Sequence, residues 1–381
     1  MAIKPVFNFY VTGKQFVCLF LFLSASALVS RPSFASGAVG SDGDSSSPNL
    51  STDISFEVEA SSEPVPIHQM IEGWEKNAGT GTFAYSDMSL KAGADYGAAR
   101  VFAERRWFYS LKFSPDTTAV YLDAEFGQET EADRNVLLDA RSFEAKGVGG
   151  AYRIERDRWS LTPEFTLYKL IHYQFGTFYG RSFTGDGTNL SARLSYYFDE
   201  YRFPSFNTLP DYEDPTGAAS TEWYGYSASL SGSWQVTDDL GVSLKIRDLW
   251  NRLDMFNSAH RSICAEVGEI SDPVCSGSGA ASGDDNPEEF STSIKSTVIA
   301  NGYYGPEQVY AQYYWHDKYR NLSVEKRFVI DQAQVGVVLS SRRQAGLTLN
   351  WQGLSLGYIA DNLDYRKARD ARLKLGFAYR W

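Results

Sequence analysis

Leu373-Lys374-Leu375-Gly376-Phe377-Ala378-Tyr379-Arg380-Trp381, the last nine residues of the sequence, alternate without a break. In a strand, Leu373, Leu375, Phe377, Tyr379 and Trp381 share one face, and Lys374, Gly376, Ala378 and Arg380 share the other. Water gives a terminal strand no reason to turn five large apolar side chains one way. Lipid does, and a lipid-facing strand must belong to a closed barrel, because an open edge would leave backbone groups unpaired in hydrocarbon.

The opposite end of the sequence agrees. Residues 1–35 read as an export signal: Lys4 and Lys14 precede an apolar run from Phe16 to Val29, and Ser33-Phe34-Ala35 offers a small-x-small cleavage site. Cleavage is expected after Ala35, with Ala27 as the second choice. The run is about 14 residues, too short to span a bilayer, and no other segment is longer. Loss of the signal would take three cations and no acids, moving the net charge from −11 to −14 and excluding nucleic acid as a partner. Aromatics at 15%, 32 glycines and 3 cysteines suit a barrel with aromatic girdles. A secreted β-sandwich would share that composition.

Residues 36–65 are rich in Ser, Gly, Asp and Pro, and they read as a flexible linker. Residues 66–82 follow, in which Ile67, Met70, Ile71 and Trp74 recur at helical spacing behind Pro66. A short amphipathic helix is expected there, as a lumen plug, at the barrel mouth or on a surface. Residues 83–381 carry the barrel. Val120, Leu122, Ala124 and Phe126 alternate with Tyr121, Asp123 and Glu125, and similar runs occur at 141–155, 159–175, 221–236, 241–253, 291–304 and 335–351. Their 13–17 residues exceed the roughly 5–6 of sandwich strands and suffice for the roughly 9–11 of a tilted membrane strand. Ser114-Pro115-Asp116-Thr117, Glu155–Arg158 and Thr237–Asp239 read as tight periplasmic turns. Segments 129–138, 176–188, 201–220, 257–289 and 316–328 read as long outer loops. About twelve strands are expected, with ten and fourteen open. The parity of the count requires that the run 189–198 be doubled or belong to a loop.

The polar faces define candidate lumen residues: Asp123, Glu125, Arg153, Glu155, Glu164, Lys245, Arg247, Arg372, Lys374 and Arg380. Opposed acidic and basic walls would form a selective constriction, whereas paired charges would close the interior. Cys264 and Cys275 remain after export and are expected to form a disulfide. The acids of 257–290 show no ordered cation-binding spacing, so no metal site is expected. His68, His172, His260 and His316 sit in no hydrolase motif, and no catalytic residue or cofactor is assigned.

Together these features resemble a Gram-negative outer-membrane β-barrel. The helix at 66–76, the Gly147-Val148-Gly149-Gly150-Ala151-Tyr152 strand followed by Trp159-Ser160-Leu161, and the terminus at 373–381 resemble a solitary autotransporter-type translocator barrel without a passenger. The resemblance implies an all-β antiparallel transmembrane barrel in the bacterial outer membrane, reached through the periplasm. It implies lipid and lipopolysaccharide as surroundings, and recognition by the barrel-assembly machinery. Lys374, Gly376, Tyr379 and Trp381 would then be the membrane-insertion signal. Three functions stay open: a passive pore for small hydrophilic solutes, a non-conducting surface-interaction barrel, and, third, a barrel enzyme.

Overall fold

The computed structural model describes residues 50–75, 78–185, 189–199, 223–268, 270, 274–275 and 281–381. The expected signal peptide and loop 201–220 lie outside these residues. No described helix is long and apolar enough to cross a membrane.

Seventeen β segments form one antiparallel sheet closed on itself. They are β1 (Leu50–Ser62), β2 (Phe83–Tyr96), β3 (Ala99–Phe113), β4 (Arg134–Tyr152), β5 (Ile154–Arg156), β6 (Trp159–Ser182), β7 (Leu190–Phe198), β8 (Trp223–Gln235) and β9 (Leu240–Val267). The remainder are β10 (Ala281–Thr292), β11 (Thr297–Tyr304), β12 (Val309–His316), β13 (Tyr319–Ile330), β14 (Ala333–Ser340), β15 (Ala345–Trp351), β16 (Leu354–Ala360) and β17 (Asp370–Arg380). Two helices, α1 (Gln69–Glu72) and α2 (Pro115–Phe126), lie in connections.

Several segments are pieces of one strand. β7 pairs with the far half of β6 and β8 with its near half, and both pair with β9. β10 and β11 likewise share β9 end to end, and β5 continues β4. The barrel therefore has 14 strands rather than about twelve. The parity problem at 189–198 is resolved in the same way, since that run is the upper half of a strand whose lower half is β8.

The seam corrects the expected linker. Residues 50–62 form β1, which pairs with β17 from Ser51↔Arg380 to Ser61↔Asp370 and with β2 on its other side. Ile54, Phe56 and Val58, the few large apolar residues of that stretch, face Phe377, Leu375 and Leu373 across the seam. The barrel thus begins at residue 50, not 83.

The end holding Leu50 and Trp381 is taken as the lower one, where Trp381 donates its backbone N–H to Leu50. Lower connections are tight, as at 97–98, 331–332 and 352–353, where Gly97 (φ 60°) and Gly353 (φ 81°) take left-handed conformations that suit glycine. The longest connections among the described residues, 63–82 and 114–133, are upper ones, although 317–318 alone joins β12 to β13 there, and the wall is uneven. β6 and β9 run 24 and 28 residues, while β14, β15 and β16 run only 7 or 8. Most of the expected outer loops 257–289 and 316–328 are strand, and β6 extends through the first half of 176–188. β9 is prolonged there past the apolar zone, where both faces are wetted; β13 is not, since Leu322 and Val324 stand exposed in alternation with buried Asn321 and Ser323.

Residues 115–126 are a helix, not a strand preceded by a turn. Ser114 caps it by accepting from the Thr117 N–H at 3.2 Å, Pro115 sits in its first turn, and Gly127 ends it in a left-handed conformation (φ 61°). Those end signals outweigh the alternation of Val120 to Phe126. α1 spans only Gln69–Glu72, and its neighbourhood packs against α2 on the upper outer wall, with Trp74 edge-on to Tyr121 at 4.8 Å. Neither helix plugs the lumen.

The outward face is apolar. Val101, Val148, Leu339 and Leu347 are each more than 60% exposed. Tyr96, Tyr152, Trp159, Trp234, Tyr304, Trp351 and Tyr379 stand exposed where their strands reach the lower end. The buried core lies inside the barrel: Phe83, Tyr85, Phe108, Phe143, Tyr173, Phe175, Tyr314 and Tyr319 converge from opposite walls.

Candidate functional site

The lumen is divided into compartments by side chains. At the lower end, a vestibule of about 1180 Å³ is bordered by Glu155, Asn301, Gln312, Glu325, Arg372 and Lys374. Its charges sit beside partners rather than on opposed walls. Glu325 accepts from Arg327 at 2.7 Å, Arg372 donates to Glu59 and Gln312 at 2.6 Å, and Lys374 lies 3.5 Å from Glu57. Pairing of this kind cancels a transverse field.

Deeper in lies a second chamber of about 250 Å³, bordered by Glu57, Lys91, Glu104, Glu164, Lys245 and Arg247. Lys91 donates to Glu164 at 2.7 Å and lies 4.0 Å above the Phe102 ring. The alternation of β3 places Arg100, Phe102, Glu104, Arg106 and Phe108 on this inner face.

A septum closes the lumen above that chamber. Arg106 reaches across from β3 and donates at 2.8 Å through both terminal nitrogens to Asp248 of β9, while also holding Asp87 at 3.0–3.1 Å. Arg247 lies 3.4 Å from Asp87, and Ser227 donates to Asp248 at 2.8 Å. The two cations and two anions balance, which is the condition for burying charge at 1–2% exposure, as for Arg106, Asp87 and Asp248. Asp248 can enter the group because the strand breaks register there: it takes φ 55° opposite a bulge between Ala228 and Leu230. Directly above, the Tyr85 and Tyr314 hydroxyls meet at 2.7 Å, and Tyr85 stacks on His316 at 4.6 Å. Tyr319 bonds Glu59 across the lumen, and Asn321 donates to Gln344 at 2.8 Å.

Above the septum, the upper mouth brings together Ser195 of β7, His260 of β9 and Glu288 of β10. Ser195 Oγ lies 3.1 Å from His260 Nε2, and His260 Nδ1 lies 3.3 Å from Glu288. Tyr197 stacks on His260 at 4.2 Å and donates to Glu288 at 3.2 Å. This is the connectivity of a nucleophile, a base and an orienting carboxylate. However, Ser195 lies mid-strand between Thr177 and Ser262, so its backbone N–H is committed to the sheet and is not offered to an oxyanion. A second pair, His172 and Asp199 at 2.6 Å, has its carboxylate also holding the Tyr173 N–H.

The sequence-derived lumen set divides accordingly. Glu164, Lys245 and Arg247 border the inner chamber, and Arg372 and Lys374 the vestibule. Asp123 and Glu125 are not lumen residues: they belong to α2 in the upper connection, where Asp123 binds Arg134 at 2.8 Å. Arg153 and Glu155 form an exposed pair at 3.4 Å at the lower tip of the β4–β6 hairpin, and only Glu155 borders the vestibule. Arg380 is exposed at the foot of the seam. Lys374 and Gly376 alternate with Tyr379 and Trp381, whose rings meet edge-on at 4.9 Å on the outer face. Cys264, near the top of β9, is joined to Cys275 by a disulfide. No group of residues suited to a metal ion occurs among the described residues. Asp87, Arg106 and Asp248 were missed by sequence reasoning. The alternation of 100–108 was the available signal for Arg106, but nothing local marks the irregularity that turns Asp248 inward.

No protein-family model and no curated protein matches the chain. Among solved structures it is similar to the CymD monoaromatic hydrocarbon channel, at 8% identity and TM-score 0.28 over 88% of each chain. It is also similar to the Pseudomonas putida toluene transporter TodX, at 9% identity and TM-score 0.29 over 87% of each chain. A further likeness is to the outer-membrane protease OmpT from Escherichia coli, at 9% identity and TM-score 0.22 over 87% of this chain and 97% of that one. Likenesses this distant carry no argument about what this chain does.

Proposed function

We propose that the chain is a bacterial outer-membrane barrel whose polar lumen conducts small hydrophilic solutes and is shut at rest by the septum around Arg106. The closed 14-strand sheet, the exposed apolar face and the aromatic residues at its lower margin support the membrane reading. The tight connections at the lower end support placing that end in the periplasm.

The observation that carries the solute reading is the pair of charged chambers below the septum. A barrel serving only as a scaffold could fill that volume with apolar side chains and avoid the cost of burying charge. The charges instead border space that accommodates water and small polar molecules, and the septum with the aromatic core above it separates that space from the upper mouth. Single-channel recording in planar bilayers tests this. The wild-type protein is expected to be almost silent, and the folded Arg106→Ala/Tyr85→Ala double variant is expected to conduct. A double variant of native heat-modifiable mobility that stays silent would overturn the solute reading.

That outcome would favour the second reading, a non-conducting surface barrel. It draws on the completeness of the septum, in which Arg106, Tyr173, Met255 and Tyr319 are all under 2% exposed.

A further inference from the structure

The outer wall of β2, β3, β4 and β6 differs from the rest of the apolar face in two respects. The first is a row of cations. Arg105 of β3 lies directly opposite Lys146 of β4, and Lys146 directly opposite Lys169 of β6. All three follow the outward alternation that carries Val101, Val148, Phe165 and Leu167. Like charges directly opposed across strands destabilise a sheet. Among the described residues one acid pairs with the row: Glu144 accepts from Arg105 Nε at 2.8 Å. Lys146 and Lys169 are exposed and make no ion pair among the described residues. A chain with a net charge of −11 thus keeps two cations side by side on its apolar face that are unpaired among the described residues.

The second feature lies immediately below. Ala92, Ala94, Ala103 and Gly150 form the floor of a shallow apolar groove of about 880 Å³, bounded on one side by Phe165 and Leu167. The groove exists because small residues on three neighbouring strands coincide in register, with Ala92 opposite Ala103 and Val101 opposite Gly150. Lys146 stands two residues above Val148, and Lys169 two above Leu167, so the cations lie at the groove's upper end, toward the long connections. Trp107, five ångströms from the Arg105 guanidinium, continues that margin upward (5.0 Å).

We propose that this wall binds one acylated lipid with a phosphorylated headgroup from the outer leaflet, of the lipid A type. An acyl chain lies in the Ala92–Gly150 groove, and a phosphate bridges Lys146 and Lys169, with Arg105 held beside them by Glu144. The charge complementarity fixes the headgroup as anionic, and the groove fixes the attached portion as hydrocarbon. A free anion would have no use for the groove, and a zwitterionic lipid would leave one lysine uncompensated. The inference rests on the outer-membrane reading above.

Native mass spectrometry of the detergent-solubilised full-length protein tests it, with bisphosphorylated lipid A, its dephosphorylated form and phosphatidylethanolamine offered in parallel. Wild-type protein is expected to retain lipid A about tenfold better than either of the others, the scale of one charge-assisted contact. Lys146→Gln/Lys169→Gln is expected to abolish that preference, and Ala103→Trp, which fills the groove and spares the cations, to weaken retention of lipid A. Each side chain points away from the lumen, so heat-modifiable mobility should be native; if the double variant does not fold, Lys169→Gln alone serves. Equal retention of all three lipids, or an unchanged preference in folded Lys169→Gln, overturns the lipid site. Insertion into vesicles is scored separately. A protein that inserts but shows no preference refutes only this inference, whereas one that never inserts refutes the membrane reading beneath it.

Discussion

Arg106 and Asp248, 142 residues apart in sequence, meet in the middle of the lumen through two hydrogen bonds of 2.8 Å each. The pair ties β3 to β9 through the interior, although the two strands are not neighbours in the sheet. The barrel wall is thereby braced across its width as well as around its circumference.

Removing one partner from this brace should cost far more than removing the group. Arg106→Ala leaves Asp248 buried without its cation and Asp87 with Arg247 alone, for a loss of about 3–5 kcal/mol. The double variant Arg106→Met/Asp248→Asn, which leaves Asp87 balanced by Arg247, is expected to recover most of that loss. Denaturant midpoints of the refolded proteins in one detergent provide the comparison. Equal losses in the single and double variants would show that packing, not charge balance, holds the septum.

The Tyr85–Tyr314 contact makes a smaller and separable contribution. Each Tyr→Phe change should destabilise by about 1 kcal/mol, and the double variant by little more than either single, because the same hydrogen bond is removed in each. Additive losses in the cycle would mean that the two hydroxyls do not act on one another.

Tyr121 on α2 gives a pH dependence outside the membrane zone. Burial, with a smaller contribution from the Glu125 carboxylate, pushes its phenol up to about 12. An acid whose folded value is raised stabilises fully below the unfolded value near 10, and that contribution is lost as pH rises through 12. The α2 cap should therefore loosen between about pH 10 and 12. Tyr121→Phe should remove the transition from a fluorescence titration of Trp74, its edge-on neighbour. An unchanged titration in that variant would assign the transition to another group.

The Ser195–His260–Glu288 chain should be chemically inert toward acyl transfer. Without an oxyanion donor from the Ser195 backbone, a fluorophosphonate probe is expected to leave the wild-type protein unlabelled at neutral pH. Labelling that disappears in Ser195→Ala would reverse this and make the upper mouth a hydrolase site.

How much of this the sequence discloses depends on which solvent each residue meets. β17 was legible because an apolar outer face and a polar lumen face impose full contrast on Leu373 to Trp381. β1 was not, because Ser51, Thr52, Asp53 and Ser55 dilute the same alternation and Ser-rich residues precede it. α2 was misread because its apolar residues happen to fall at even positions, while its signals sit at its ends, in Ser114, Pro115 and Gly127. The doubled strands escaped because collinearity of β7 with β8 is a long-range fact, visible only through their shared partners β6 and β9. In the candidate site, residue type and alternation revealed Glu164, Lys245, Arg247 and Arg372. The bonds across the lumen could not be read, since which walls face one another depends on closure.

The seam between β1 and β17 has a temporal consequence. On the edge away from β2, Ser51 through Ser61 wait for Asp370 to Arg380, which all the other strands separate from them along the chain. Until then β1 has an edge that nothing can satisfy, and every other hairpin can form before the cylinder does. Ring closure therefore follows the formation of the hairpins, and a molecule without residues 370–380 would remain an open, sticky sheet. The joint acts as a check on completeness, because only a chain that includes both β1 and β17 can hide both edges of its sheet.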